Sequence, residues 1–176
     1  MAGLPALRAA IAEKTLRCYG RAYDGDSEVT VTAGATQAIL NCIMAVAGPG
    51  DEVAVLEPCY DSYVPNIEMA GAQAVRVALT PRTFAPDFER LAAAITPRTK
   101  AIIINTPHNP SGTVWSASDM QSLAALLEGT SIAVISDEVY EHMVFDGQAH
   151  QSVCRYPALA NRSFVIGSFG KTFHVT

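Results

Sequence analysis

A chain of 176 residues, 49% hydrophobic and 16% charged, can bury one substantial core and is not a disordered segment. Its net charge of -5, with no basic cluster, argues against nucleic acid as a partner. The apolar runs are too short to span a bilayer and the N-terminus does not read as a signal peptide. Cys18, Cys42, Cys59 and Cys154 lack disulfide or zinc spacing, so a reducing cytoplasm is the expected compartment.

In chain order, residues 4–16 predict a helix, with Pro5 in its first turn and Leu4, Leu7 and Ile11 as its apolar stripe. A polar loop follows over 18–27. Val29-Thr30-Val31-Thr32 predicts a first strand, leading through Gly34-Ala35-Thr36 into a helix over 37–47. The turn Gly48-Pro49-Gly50-Asp51 ends that helix. Residues 52–57 predict a second strand, followed by Tyr60 and a short helix to Met69, and residues 74–79 a third strand. Asp87 is expected to cap a helix with Phe88, Leu91, Ala92 and Ile95 on one face. Residues 100–105 are apolar nearly throughout and predict a fourth strand buried on both faces. Ser116 and Asp119 predict a capping box opening a helix to Leu127. Residues 132–136 predict a fifth strand ending at Asp137-Glu138. Phe164-Val165-Ile166 predicts a sixth, short and buried, ending in Ser168-Phe169-Gly170-Lys171. Strand, loop and helix alternate, the pattern of an α/β three-layer sandwich with a mostly parallel sheet. Residues 1–27 are expected to be a helix and loop leading into the domain, which occupies 28–176.

In such sheets ligands bind beyond the carboxyl ends of the strands. The residues there are Gly34-Ala35-Thr36, Tyr60, His108, Asn109, Asp137, Tyr140, Ser168 and Lys171. The Gly34-Ala35-Thr36 turn suits a phosphate at a helix N-terminus, and equally an ordinary tight connection. Asp137 reads as a helix cap or a functional anion, Tyr60 as a stacking or a packing ring, and Asn109 as a ligand or a loop cap. On a helical turn, Asp137 and Tyr140 would face the same side. A lysine leaving a buried strand can lose hydration, and the neutral amine attacks carbonyls. Glu138 reads as a surface or supporting group, Cys42 as a core thiol, and His150 as part of a polar loop. None of His108, His142, His150 and His174 has metal-ligand spacing, and no nucleophile elbow surrounds Ser111 beside His108.

Taken in order, four motifs sharpen these readings. They are Val31-Thr32-Ala33-Gly34-Ala35-Thr36-Gln37, Asn105-Thr106-Pro107-His108-Asn109-Pro110-Ser111-Gly112, Ser136-Asp137-Glu138-Val139-Tyr140 and Ser168-Phe169-Gly170-Lys171-Thr172-Phe173. As a set they resemble the class I, fold-type I aminotransferases that use pyridoxal 5'-phosphate (PLP), and most of all the methionine- and kynurenine-aminotransferase-like subgroup. The resemblance covers essentially the whole chain. It implies that 28–176 is an incomplete PLP-binding large domain and that the chain is a segment of a longer protein. The C-terminal small domain and its substrate-carboxylate arginine would then lie outside it. So would the basic residue just beyond the lysine and the N-terminal arm that meets the partner subunit. The segment alone is accordingly expected to be inactive.

The resemblance also implies roles. Lys171 would bond the cofactor as an imine and move a proton from the substrate Cα. Asp137 would face the pyridine nitrogen, while Tyr140 and Asn109 would bind the ring's phenolic oxygen. Tyr60 would stack on the ring, and Ser168 with the amides of Ala35 and Thr36 would hold the phosphate. A cis peptide is expected before Pro110. The implied activity is amino transfer between an L-amino acid, methionine or aromatic in type, and a 2-oxo acid, in a homodimer. Two alternatives stand beside it: a carbon–sulfur β-lyase on the same fold, and the effector domain of an aminotransferase-like transcriptional regulator.

Overall fold

The computed structural model describes residues 2–175. Five strands form one sheet: β1 (Glu52–Glu57), β2 (Gln73–Ala78), β3 (Thr99–Asn105), β4 (Ala133–Asp137) and β5 (Ser163–Ile166), in the order β2-β1-β3-β4-β5. All the pairings are parallel. Each strand therefore needs a crossover to reach the next, and helices supply it: α3 (Tyr63–Met69), α4 (Phe88–Ala94), α5 (Ala117–Leu126) and α6 (Pro157–Ala160). Helices α1 (Pro5–Tyr19) and α2 (Gly34–Val46) precede the sheet, and α7 (Phe169–Thr172) follows it.

The central strands alternate between two cores. Ala54, Leu56, Ile102, Ile104 and Val134 face one side, where Leu91 of α4, Met120 and Leu123 of α5 and Leu159 of α6 cover them. Val53, Val55, Ala101, Ile103 and Ile135 face the other, under Ile39 and Ile43 of α2 and Tyr63 and Ile67 of α3. Both sheet faces are thus dry, which is why β1 and β3 read as continuous apolar runs rather than alternating ones. The fold is the expected α/β three-layer sandwich. Strand order reverses between β1 and β3, with β2 on one side and β3, β4 and β5 on the other, so a crevice opens beyond the carboxyl ends of β1 and β3.

Local signals account for most boundaries. Asp87 caps α4 by accepting from the Arg90 N–H at 3.0 Å. Ser116 and Asp119 form the reciprocal capping box of α5. The peptide before Pro110 is cis, and so are those before Pro58 and Pro107. Among the described residues no helix is long and apolar enough to cross a membrane.

Three expectations fail. Residues 29–32 join no sheet among the described residues; the Val31 N–H donates to the Ala2 carbonyl at 2.9 Å. Helix α1 presents no apolar stripe to the sheet. Leu4 is 73% exposed, and the buried side chain is Arg8, whose guanidinium donates to the Gly25 and Asp26 carbonyls at 2.8 and 2.9 Å. The helix packs on the polar loop after it, so charge rather than apolar area fixes it. Strand β5 is not buried. It is an edge strand, with Phe164 and Val165 38% and 37% exposed.

Candidate active site

The site is built from loops that leave the strand ends. Ala35, Thr36, Tyr60, Asn109, Asp137, Tyr140, Ser168 and Lys171 all line one cleft of about 160 Å³, together with Ile39, Asn105 and Val139. A second cavity beside it, between Tyr63, His108 and Trp115, measures about 10 Å³ and has room for at most one water. The larger cleft is the one that can take a ligand.

Helix α2 begins at Gly34, three residues earlier than the sequence predicts, so Ala35 and Thr36 form its first turn. Gly34 sits at φ 81°, a conformation that side chains disfavour. The Gln37 side chain reaches back to accept the Ala33 N–H at 2.6 Å, which sets the helix start. Ala33 brings no capping side chain, so the first-turn amides of this 13-residue helix open toward the cleft with the positive end of the dipole behind them.

Asp137 is the last residue of β4 and is buried. Burial pushes its carboxyl above the usual range, partly offset by donors from the Tyr63 hydroxyl and the Val139 N–H. These donors lie 2.5 Å from Oδ2 and 3.3 Å from Oδ1. Asn105 ties the neighbouring strand end to it. Its Nδ2 donates to the Asp137 carbonyl at 2.9 Å, and its Oδ1 accepts the Asn109 N–H at 2.7 Å. Asn109 Nδ2 in turn donates to the Tyr140 hydroxyl at 3.5 Å. Residues 139–142 are turns rather than a helix, yet Asp137 and Tyr140 still reach the same cleft. Ser168 caps α7, accepting the Gly170 N–H at 3.1 Å, and presents Lys171 beyond it. The Lys171 Nζ lies 5.5 Å from the centre of the Tyr140 ring. Lys171 is exposed on α7, so burial by this chain's own residues does not supply the desolvation expected of a lysine leaving a buried strand.

Several contributing residues were invisible to sequence reasoning. Tyr63 closes the segment that leaves the second strand and carried no signal of its own. Asn105, a buried amide ending an apolar strand, carried the better signal, because such a group must find partners. Of the two readings of Glu138, the supporting group holds and the surface group does not: Glu138 and His150, the latter in its loop, are both buried, 1% and 6% exposed, and their side chains meet at 2.8 Å. Glu138 Oε1 also accepts the Ser136 hydroxyl at 2.9 Å and the Val153 N–H at 3.0 Å. The turn carrying Tyr140 is thereby clipped to the loop before α6. Glu141 adds a second clip, accepting from Lys14 and Tyr19 of α1. Glu138→Ala would leave three polar groups unpartnered in the interior, with an expected cost of about 3–5 kcal/mol in denaturant unfolding. Glu138→Gln, which retains an acceptor for Ser136 and Val153, should recover most of that loss. Cys42 is half-buried against the α2 core, with its thiol pushed up to about 11 by burial. His108 meets Ser111 at 2.6 Å, but its other nitrogen is committed to the Pro58 carbonyl at 2.9 Å, which makes the pair a loop brace.

A parallel sheet with a strand-end amine, a buried carboxylate and an open helix N-terminus in one cleft defines a cofactor-binding α/β domain. The chain belongs to the class I and II aminotransferase family, whose model matches residues 1–176. It is 49% identical over 176 residues to the methionine aminotransferase of Escherichia coli, an alignment spanning 100% of this chain and 46% of that protein. The crystal structure of the E. coli enzyme superposes with a TM-score of 0.95 over 98% of this chain. The N-succinyldiaminopimelate aminotransferase of Mycobacterium tuberculosis gives a TM-score of 0.93 at 45% identity, covering 97% of this chain and 45% of that one. An aromatic aminotransferase from Pyrococcus horikoshii gives 0.95 at 36% identity, covering 99% and 47%. The chain thus spans about half the length of the relatives it matches.

Proposed function

We propose that the whole protein is a PLP-dependent aminotransferase moving an amino group from an L-amino acid, methionine or aromatic in type, to a 2-oxo acid, as a cytoplasmic homodimer. The observation that carries this reading is the meeting of Lys171, Asp137, Tyr140 and the open end of α2 in one cleft of a chain from this family. The donor set fits the cofactor. The helix end suits a phosphate, the buried carboxylate a ring nitrogen, the Tyr140 and Asn109 donors a phenolic oxygen, and the primary amine a carbonyl.

When bound, the cofactor supplies a carbonyl electrophile and a conjugated ring that accepts an electron pair. The protein's own groups do the rest. The amides of Ala35 and Thr36, with the Ser168 hydroxyl, would hold the phosphate. Asp137 would oppose positive charge at the ring nitrogen. Tyr140 and Asn109 would fix the ring's rotation, and the exposed Tyr60 ring would offer a flat apolar surface to one face. Lys171 Nζ would anchor the cofactor at its carbonyl and, as the free amine, would carry away the proton taken from the substrate Cα. The methionine aminotransferase and the aromatic aminotransferase among the relatives support methionine or aromatic donors, while the N-succinyldiaminopimelate aminotransferase makes a longer acidic donor the competing choice.

The test is a panel of L-amino acids and 2-oxo acids presented to the full-length protein loaded with PLP. Turnover that needs both partners, with methionine or an aromatic donor preferred, is the expected result. Pyruvate and ammonia released from a cysteine S-conjugate without an acceptor would replace this reading with the β-lyase. Neither reaction, together with an upstream DNA-binding segment, would replace it with the regulator.

A further inference from the structure

Asp137 has one short contact, and it is made by a residue outside the four motifs. Tyr63, the first residue of α3, is 2% exposed and donates its hydroxyl to Asp137 Oδ2 at 2.5 Å. The phenol is held from two directions: its backbone N–H donates to the Tyr60 carbonyl at 3.2 Å, and its ring meets the Tyr60 ring edge-on at 5.8 Å and 74°. The other carboxylate oxygen receives only the longer Val139 donor at 3.3 Å.

We propose that Tyr63 is a positioning residue for the Asp137 carboxylate: its hydroxyl fixes the direction of that carboxylate and holds it in the charged form that a cationic ring nitrogen requires. The inference deepens the cofactor reading above and rests on it. The reasoning turns on which influence at Asp137 prevails. Burial favours the neutral acid, and Glu138 next in sequence pushes the same way; the Tyr63 hydroxyl, the Val139 N–H and the Lys171 charge oppose them. A neutral Asp137 would offer the ring nitrogen no negative charge. Around the phenol itself stand Cys59, Tyr140 and Asp137, and burial together with that carboxylate keeps it protonated and therefore a donor. The geometry also links the two elements that would contact the ring, since Tyr63 touches Tyr60 with its edge and Asp137 with its hydroxyl.

A purely structural Tyr63 would pack α3 on the sheet and do no more. The two roles separate in Tyr63→Phe, which keeps the ring and removes the donor. In the full-length protein stripped of cofactor and labelled with ¹³C at aspartate carboxyls, the Asp137 titration midpoint should move to higher pH. In the loaded enzyme kcat should fall about tenfold, the worth of one hydrogen bond to a charged group. KM should change less than about twofold, and the acidic limb of the kcat/KM profile should move up in pH. Replacement of Tyr63 by 3-fluorotyrosine, a stronger donor, should move the carboxyl midpoint the other way with packing unchanged. An Asp137 midpoint that stays put in both proteins overturns the proposal, as does one that moves down in Tyr63→Phe. Should Tyr63→Phe fail to fold, the fluorotyrosine protein alone decides. The carboxyl titration needs no cofactor, so its outcome is independent of whether borohydride traps PLP on Lys171, which tests the reading underneath.

Discussion

Lys171→Ala is expected to abolish amino transfer while leaving the protein folded. Lys171 is exposed on the four-residue α7 and contributes no side chain to either core. Its loss should cost no more than about 0.5 kcal/mol of stability, the usual range for a surface substitution. Activity has no comparable reserve. Within the proposed mechanism the same amine anchors the cofactor and carries the proton, and among the described residues no second lysine lines the cleft. Removing a positioned acid–base group alone costs about 10²–10⁴-fold, and loss of the covalent anchor adds to that. Borohydride reduction of PLP-loaded protein followed by peptide mass mapping should label Lys171 in the wild type and nothing in the variant. Undiminished turnover in Lys171→Ala would remove the central residue of the mechanism.

Asp137→Asn should separate activity from stability in opposite directions. The amide cannot supply the negative charge, and kcat is expected to drop about 10²–10³-fold, as when a preorganised electrostatic group is lost. The cofactor-free protein should instead become more stable at neutral pH. A carboxyl whose folded-state pKa is raised binds its proton more tightly folded than unfolded. Folding stability from that proton is therefore full below the ordinary carboxylate range near 4 and is lost as pH rises through the raised value. The wild-type apoprotein should lose stability over that interval, and Asp137→Asn should not. Thermal unfolding of both proteins from pH 4 to pH 8 checks this. Parallel curves would mean that burial at Asp137 is fully compensated.

The sheet was largely legible because its order follows local signals. Apolar runs at 52–57, 100–105 and 132–136 marked the central strands, and the capping pairs at Asp87 and Ser116 marked helix starts. The cleft residues were readable because they lie at fixed offsets from strand ends, where this topology gathers them. What could not be read depends on partners distant in sequence. Val29-Thr30-Val31-Thr32 alternates like a strand, but pairing is decided by a neighbour that the segment itself does not encode. Phe164-Val165-Ile166 is as apolar as a core strand, and only its place at the sheet edge leaves it half in water. Glu138 and His150 are separated by a loop whose polar composition conceals a buried hydrogen-bonded pair. Tyr63 shows the same limit inside the site. Its hydroxyl reaches a carboxylate 74 residues away, and nothing in its neighbours announces the contact.

β5 is also the last of the five strands in chain order, which bears on assembly. During synthesis the strands β1 to β4 leave the ribosome before β5 and can pair without it, each parallel contact closing over residues already made. The helix end of α2, Tyr60, Asn109, Asp137 and Tyr140 all belong to this earlier portion. The roughly thirty residues between Tyr140 and Lys171 then take about 1.5–6 s at ~5–20 residues per second. For that interval the nascent chain presents the open end of α2 and the Asp137 carboxylate without the Lys171 amine. Among the cleft residues of this chain, Ser168 and Lys171 are therefore the last delivered, and under the proposed mechanism a chain interrupted before β5 would lack both the amine that anchors the cofactor and one of its phosphate donors.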